Sequence, residues 1–131
     1  MTRFINPSTV APPLGTYTHA VEVAAGARWL HIAGQVGIAP DGGVAEAFAA
    51  QAHQAWKNLI AILHEADMDV GDLVHVNHWL TNQDDFPTYA EVRAQYLGAA
   101  RPAATLMIVK DLVKPGLMIE VGGVAAKMNE G

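Results

Sequence analysis

The chain contains no cysteine. That excludes disulfide frameworks, zinc–thiolate centres and cysteine nucleophiles, and it fits a reducing compartment. Cations are also scarce. Eight Lys and Arg stand against thirteen Asp and Glu, a net charge of −5, and they are scattered rather than clustered. A nucleic-acid surface needs a basic track for phosphates, so no nucleic-acid partner is expected. No apolar run approaches the roughly 20 residues of a membrane span. The start, Met-Thr-Arg-Phe-Ile-Asn, lacks the basic region and apolar stretch of a signal peptide. These absences point to a cytoplasmic protein with no membrane partner. Charge of either sign is short as well: 16% of residues, against about 25% in ordinary domains.

Apolar residues fill the gap, at 51% of 131 residues. A chain of this length forms one domain, 1–131, and buries about two-thirds of its unfolded surface. Little charge on a small domain implies that part of the surface is covered, and a homo-oligomer is the economical cover.

Hydrophobic patterning predicts the order β-β-β-α-β-α-β-β. Thr2 to Ile5 is a short edge strand. Thr16 to Ala24 alternates as a strand and is expected to form a hairpin with Arg28 to Val36 across Ala25-Gly26-Ala27. Ala45 to Ala66 is the strongest helix, with Phe48, Ala52, Ala55, Trp56, Leu59, Ile62 and Leu63 on one stripe. Leu73 to Thr81 is a strand. A second helix runs to Leu97, with Asp84 or Asp85 as its cap, Pro87 in its first turn and Gly98 at its end. Ala103 to Val109 and Leu117 to Lys127 are the last strands. Both helices should pack on one face of the sheet, leaving the other face to be covered by association.

Several segments, in order and spacing, resemble the Rid family, also called YjgF: Pro13-Leu-Gly-Thr-Tyr17-Thr-His-Ala-Val, Ile32-Ala-Gly-Gln35, Asn58-Leu59 in the long helix, Leu80-Thr-Asn-Gln-Asp-Asp-Phe86, Arg101-Pro-Ala and Ile119-Glu120-Val121. The resemblance implies an α+β, chorismate-mutase-like fold with a mixed sheet and two helices on one face. It also implies a homotrimer with a central barrel and three small-molecule clefts between subunits. Members of the family hydrolyse imines and enamines released by amino-acid dehydratases. They hold the substrate carboxylate with an arginine, whose planar fork matches it bidentately, and use a glutamate of the last strand to position water.

Carried over residue by residue, the family's arginine position holds Ala104 and its glutamate position holds Gly122. Ala33 replaces a serine, Asp84 an asparagine and Leu106 a cysteine, while Tyr17, Gly34 and Gln35 remain. The nominated substrate-binding residues are therefore Tyr17, Ala33, Gly34, Gln35, Asp84, Ala104, Thr105, Leu106 and Glu120, with no catalytic residue assigned. Tyr17 reads equally as a ligand contact and as an interface aromatic, and Asp84 as a helix cap or a ligand contact. Thr105 would offer a hydroxyl, although threonine in a strand is ordinary. Arg101 lies an odd number of residues from Ala104 and should face away from the cleft. Glu120 shares a face with Gly122, about 7 Å along the strand. Without the cationic clamp the cleft should be apolar, lined by Ala33, Ala104 and Leu106.

No metal or cofactor is expected. His75, on one strand face with Asn77 and Trp79, points away from His78, and His53 and His64 lie three helical turns apart. Two functions stay open: a hydrolytic deaminase of an imine or enamine other than a simple amino-acid-derived one, and a non-catalytic metabolite-binding or regulatory trimer.

Overall fold

A computed structural model describes residues 2–129. The elements are β1 (Thr2–Ile5), β2 (Ala20–Val23), β3 (Ala27–Val36), α1 (Phe48–Glu65), β4 (Leu73–Leu80), α2 (Phe86–Leu97), β5 (Ala103–Ile108) and β6 (Ile119–Met128). This is the order expected from the patterning. The main sheet runs β3-β6-β4-β5. Only β4 and β5 are parallel, joined by the α2 crossover.

One pairing differs from expectation. β2 does not form a hairpin with β3. It pairs antiparallel with β1 in a separate two-stranded sheet, Thr2 opposite Val23 and Ile5 opposite Ala20. The segment before β2 is held instead by β5: Thr18 N–H donates to the Pro102 carbonyl at 3.1 Å and Thr18 bridges Ala103. A short link favours a hairpin only when neither strand has a better edge, and here both β1 and β5 compete for this segment.

The helices cover one face of the sheet. The α1 stripe buries Phe48, Ala52, Ala55, Trp56, Leu59 and Leu63 against Val76, Leu80, Ile119, Val121 and Ala125. Ile62 lies only at the margin of this core. Two amide side chains on α1 are satisfied against it. Gln51 donates to the carbonyls of Ala45 and Gly116 and accepts from Met118 N–H, each at 2.9 Å. Asn58 donates to the carbonyls of Val36 and Ile38. On the open face Trp29 and Met107 stay about half exposed, at 53% and 46%. α2 begins without a side-chain cap at Asp85. Asn82 instead accepts from Asp84 N–H one turn earlier.

Candidate functional site

Pairing fixes which β5 side chains face the helices. Ala104 lies opposite Val76, and Leu106 opposite His78. Val76 and His78 are buried, so Ala104 and Leu106 lie on the helix side of the sheet edge. Thr105, opposite Asn77, turns to the open face. The Thr18 bridge brings Tyr17 over this edge. The Leu14-Gly15 loop folds beside it, with Leu14 N–H donating to the Tyr17 hydroxyl at 3.2 Å. The result is a cavity of about 340 Å³ lined by Leu14, Gly15, Tyr17, His78, Phe86, Arg93, Ala104 and Leu106. A neighbouring groove of about 450 Å³ runs past Tyr17, His75, Ala104 and Thr105.

The wall of the cavity is set by α2. Phe86, Tyr89 and Arg93 recur at helical spacing and so share one face. The Arg93 guanidinium carbon lies 5.6 Å from the Phe86 ring centre and 5.7 Å from that of Tyr89, within cation–π range. Arg93 is 8% exposed overall, with its head at the cavity wall. Its Nε has no hydrogen-bond partner, and no carboxylate pairs with it among the described residues. Burial lowers its pKa, while Tyr89 acts in the opposite direction. An arginine nevertheless remains charged in a protein.

Behind Arg93 runs a buried polar chain. Trp56 Nε1–H donates to the Tyr89 oxygen at 3.1 Å, and Tyr89 in turn contacts His78 Nδ1. An indole N–H can only donate; giving the Tyr89 hydroxyl hydrogen to Nδ1 then leaves no hydrogen in this polar chain without an acceptor, and the imidazole proton is assigned to Nε2 on that ground. Burial, then the nearby Arg93 charge, then His75 push the His78 pKa down to about 3. His78 is therefore neutral at physiological pH, and Arg93 is the one charged side chain in the cavity lining. Burial pushes the Tyr89 hydroxyl pKa up, against smaller lowering effects from the Trp56 hydrogen bond and Arg93.

The remaining nominated residues lie elsewhere. Ala33, Gly34 and Gln35 form the irregular stretch of β3 where its register against β6 shifts. β3 is at the opposite sheet edge from β5. The Glu120 side chain lies across Gly34, where any Cβ would overlap its carboxylate. Gly122 faces the same backbone: a Cβ there would sit 3.1 Å from Gly34 Cα and 3.2 Å from the Ile32 carbonyl oxygen. Within one chain the nominated set, Asp84 apart, thus divides into two groups: Tyr17, Ala104, Thr105 and Leu106 at the β5 edge, and Ala33, Gly34 and Gln35 on edge strand β3 with Glu120 laid against them from the adjoining β6.

Asp84 is exposed before α2 and lines neither the cavity nor the groove. Arg101 is also outside the cavity. Its guanidinium donates to the carbonyls of Gly98 and Ala100 at 2.8 Å, closing the end of α2. The expectation of an apolar cavity is corrected in one respect. The lining is mostly apolar, but Arg93 supplies a cation from α2. Sequence reading missed Arg93, Tyr89 and His78. The 86-89-93 spacing was the available signal, since it places an arginine on the face carrying two aromatics.

Comparison with known proteins agrees with this architecture. The family model described as Endoribonuclease L-PSP matches residues 8–127. A RutC family protein of Pyrococcus horikoshii is 33% identical over 117 residues, covering 88% of this chain and 90% of the relative. A human protein named 2-iminobutanoate/2-iminopropanoate deaminase is 34% identical over 125 residues, covering 94% and 88%. Among solved structures, a Rid-family protein of unknown function from Yersinia pestis superposes with a TM-score of 0.86 at 32% identity, covering 96% of this chain and 98% of that one. With the family model spanning nearly its whole length, this chain belongs to the Rid, or endoribonuclease L-PSP, family.

Proposed function

We propose that the protein is a hydrolytic deaminase of an imine- or enamine-type metabolite, acting in the cytoplasm as a homotrimer with its sites between subunits. The observation that carries this reading is the division of the nominated residues between the β5 and β3 edges. A second copy that brings its β3 edge to the β5 edge of the first would join them into one site. The half-exposed Trp29 and Met107 give the open face a reason to associate. Relatives named as imine deaminases support the reaction class.

The chemistry asks little of the protein. Water adds to the C=N carbon, the resulting carbinolamine collapses, and the nitrogen leaves as ammonia with a carbonyl product. An enamine first takes a proton on carbon. Tyr17 would hold the substrate at the β5 edge. Glu120, lying on Gly34, is the nominated carboxylate that would orient the water. The lining of Leu14, Phe86, Ala104 and Leu106 suits a substrate with an apolar body.

Two measurements test this. Light scattering should give a trimer mass in dilute solution. Imines generated in place by an amino-acid oxidase, from substrates with small to bulky side chains, should release keto acid faster when the protein is added. A monomer, or no acceleration with any imine in the series, would sink the reading. A non-catalytic binding trimer is the second reading. It is favoured by Gly122, where the family's glutamate is missing and where a Cβ would sit tightly on the backbone, 3.1 Å from Gly34 Cα.

A further inference from the structure

We infer that Arg93 is the anion-recognition residue of the cavity, and that the ligand is a small organic carboxylate with an apolar body. This rests on the deaminase reading and deepens it by naming the residue that would recognise the substrate; a carboxylate substrate is itself what the family resemblance implies, and its recognition from α2 is the new element. The binding argument itself needs no turnover.

Four observations carry it. First, a guanidinium is held in a mostly buried position without an acid partner. Charges removed from water are ordinarily paired, because an uncompensated one is costly. Two aromatic faces, Phe86 and Tyr89, offset part of that cost but satisfy none of the N–H donors. The Nε remains without a partner. Second, the residue lines the cavity, and its Nη2 lies 3.4 Å from where a Cβ on Gly15 would sit, in ordinary contact with the loop that rims it.

Third, nothing else in the lining competes for an anion by charge or repels it. The cavity wall holds no carboxylate, and its imidazole is neutral and already engaged by Tyr89. The Tyr17 hydroxyl accepts from Leu14 N–H, which leaves its own hydrogen to donate to a second oxygen. A planar fork with a nearby hydroxyl suits a carboxylate. Fourth, the rest of the lining is Leu14, Phe86, Ala104 and Leu106 around about 340 Å³, near the small end of ligand sites. That space admits a short aliphatic or single-ring body.

Titration calorimetry on the purified full chain tests this with three pairs: butanoate and butanamide, 4-methylpentanoate and its amide, phenylacetate and phenylacetamide. At least one carboxylate should bind, with its neutral amide at least tenfold weaker. Arg93→Met should lose at least tenfold of that affinity, and Arg93→Lys should retain part of it. Ala104→Glu, which places a carboxylate in the same cavity, should abolish binding and raise Tm by satisfying Arg93.

The inference is overturned if no carboxylate of the set binds, which is also the result if a neighbouring subunit's acid already closes on Arg93. It is overturned if amides bind as well as carboxylates, or if folded Arg93→Met binds like the parent. Should Arg93→Met not fold, Ala104→Glu decides: retained carboxylate affinity refutes the assignment. Failure of the two readings is distinguishable. Carboxylate binding that needs Arg93, without imine turnover, removes the deaminase and leaves this assignment. Imine turnover untouched by Arg93→Met does the reverse.

Discussion

Lowering the pH should weaken this protein through His78 in a way that a single variant isolates. The imidazole is buried behind Arg93 and Tyr89, and its pKa falls from 6.5 to about 3. Between those values the unfolded chain binds a proton that the folded chain does not. Stability therefore rises with pH through that window, is complete above about 6.5, and is lost as pH falls. At pH 4.5 the unfolded histidine is two pH units below its pKa while folded His78 is still neutral. At about 1.36 kcal/mol per unit, the loss is about 2–3 kcal/mol. The size depends only on the folded value lying well below 4.5.

Urea unfolding at pH 7.5 and 4.5, at one fixed protomer concentration, measures it. Carboxylates also titrate in this range, so the test is a difference. His78→Gln keeps an acceptor for the Tyr89 hydroxyl but cannot titrate, and it should lose about 2–3 kcal/mol less than the parent on acidification. Parallel losses in the two proteins would refute the placement of a neutral, buried His78.

Other consequences follow from the same geometry. Tyr89→Phe strands the Trp56 N–H and His78 Nδ1 in the core, at about 1–3 kcal/mol for each unsatisfied group. A thermal melt should show Tm lower by on the order of 10 °C. Ala104→Arg puts a second guanidinium into the cavity that holds Arg93. It should lower Tm, and Arg93→Met in the same chain should recover much of the loss, a coupling read from a double-mutant cycle. Gly122→Glu presses a side chain onto the Gly34 backbone at 3.1 Å. It should destabilise by about 1–3 kcal/mol in chemical unfolding and bring no gain in imine hydrolysis over the parent.

The fold was legible because its periodicities are strong. The α1 stripe from Phe48 to Leu63 and the alternation along Leu73–Leu80 specify their own buried faces. The partner of β2 was not legible, because a three-residue link says nothing about β1 or about the Pro102 carbonyl that draws Thr18 to β5. At the site, motif positions nominated Tyr17, Ala104 and Leu106, which the fold brings together at the β5 edge. Alternation alone set Thr105 on the opposite face from Ala104; which of the two faces the helices cover needed the Val76–Ala104 and Asn77–Thr105 register. Arg93 was hidden for a different reason. An arginine within a helix ordinarily reads as solvated, and only the packing of Phe86 and Tyr89 against the cavity turns it inward. Arg101 illustrates the converse: a polar residue near a motif position whose guanidinium closes the end of α2 rather than entering the cavity.

The central claim is that one site combines Arg93 beside the β5 edge of one copy with Glu120, laid against β3, of the next. A crystal structure of the full chain soaked with 4-methyl-2-oxopentanoate tests it most directly. The account predicts a trimer with the ligand carboxylate on the Arg93 guanidinium, its aliphatic tail against Leu106 and Phe86, and its carbonyl carbon toward Glu120 of a neighbouring copy. A carboxylate bound away from Arg93, or copies that keep the β3 and β5 edges apart, would contradict it.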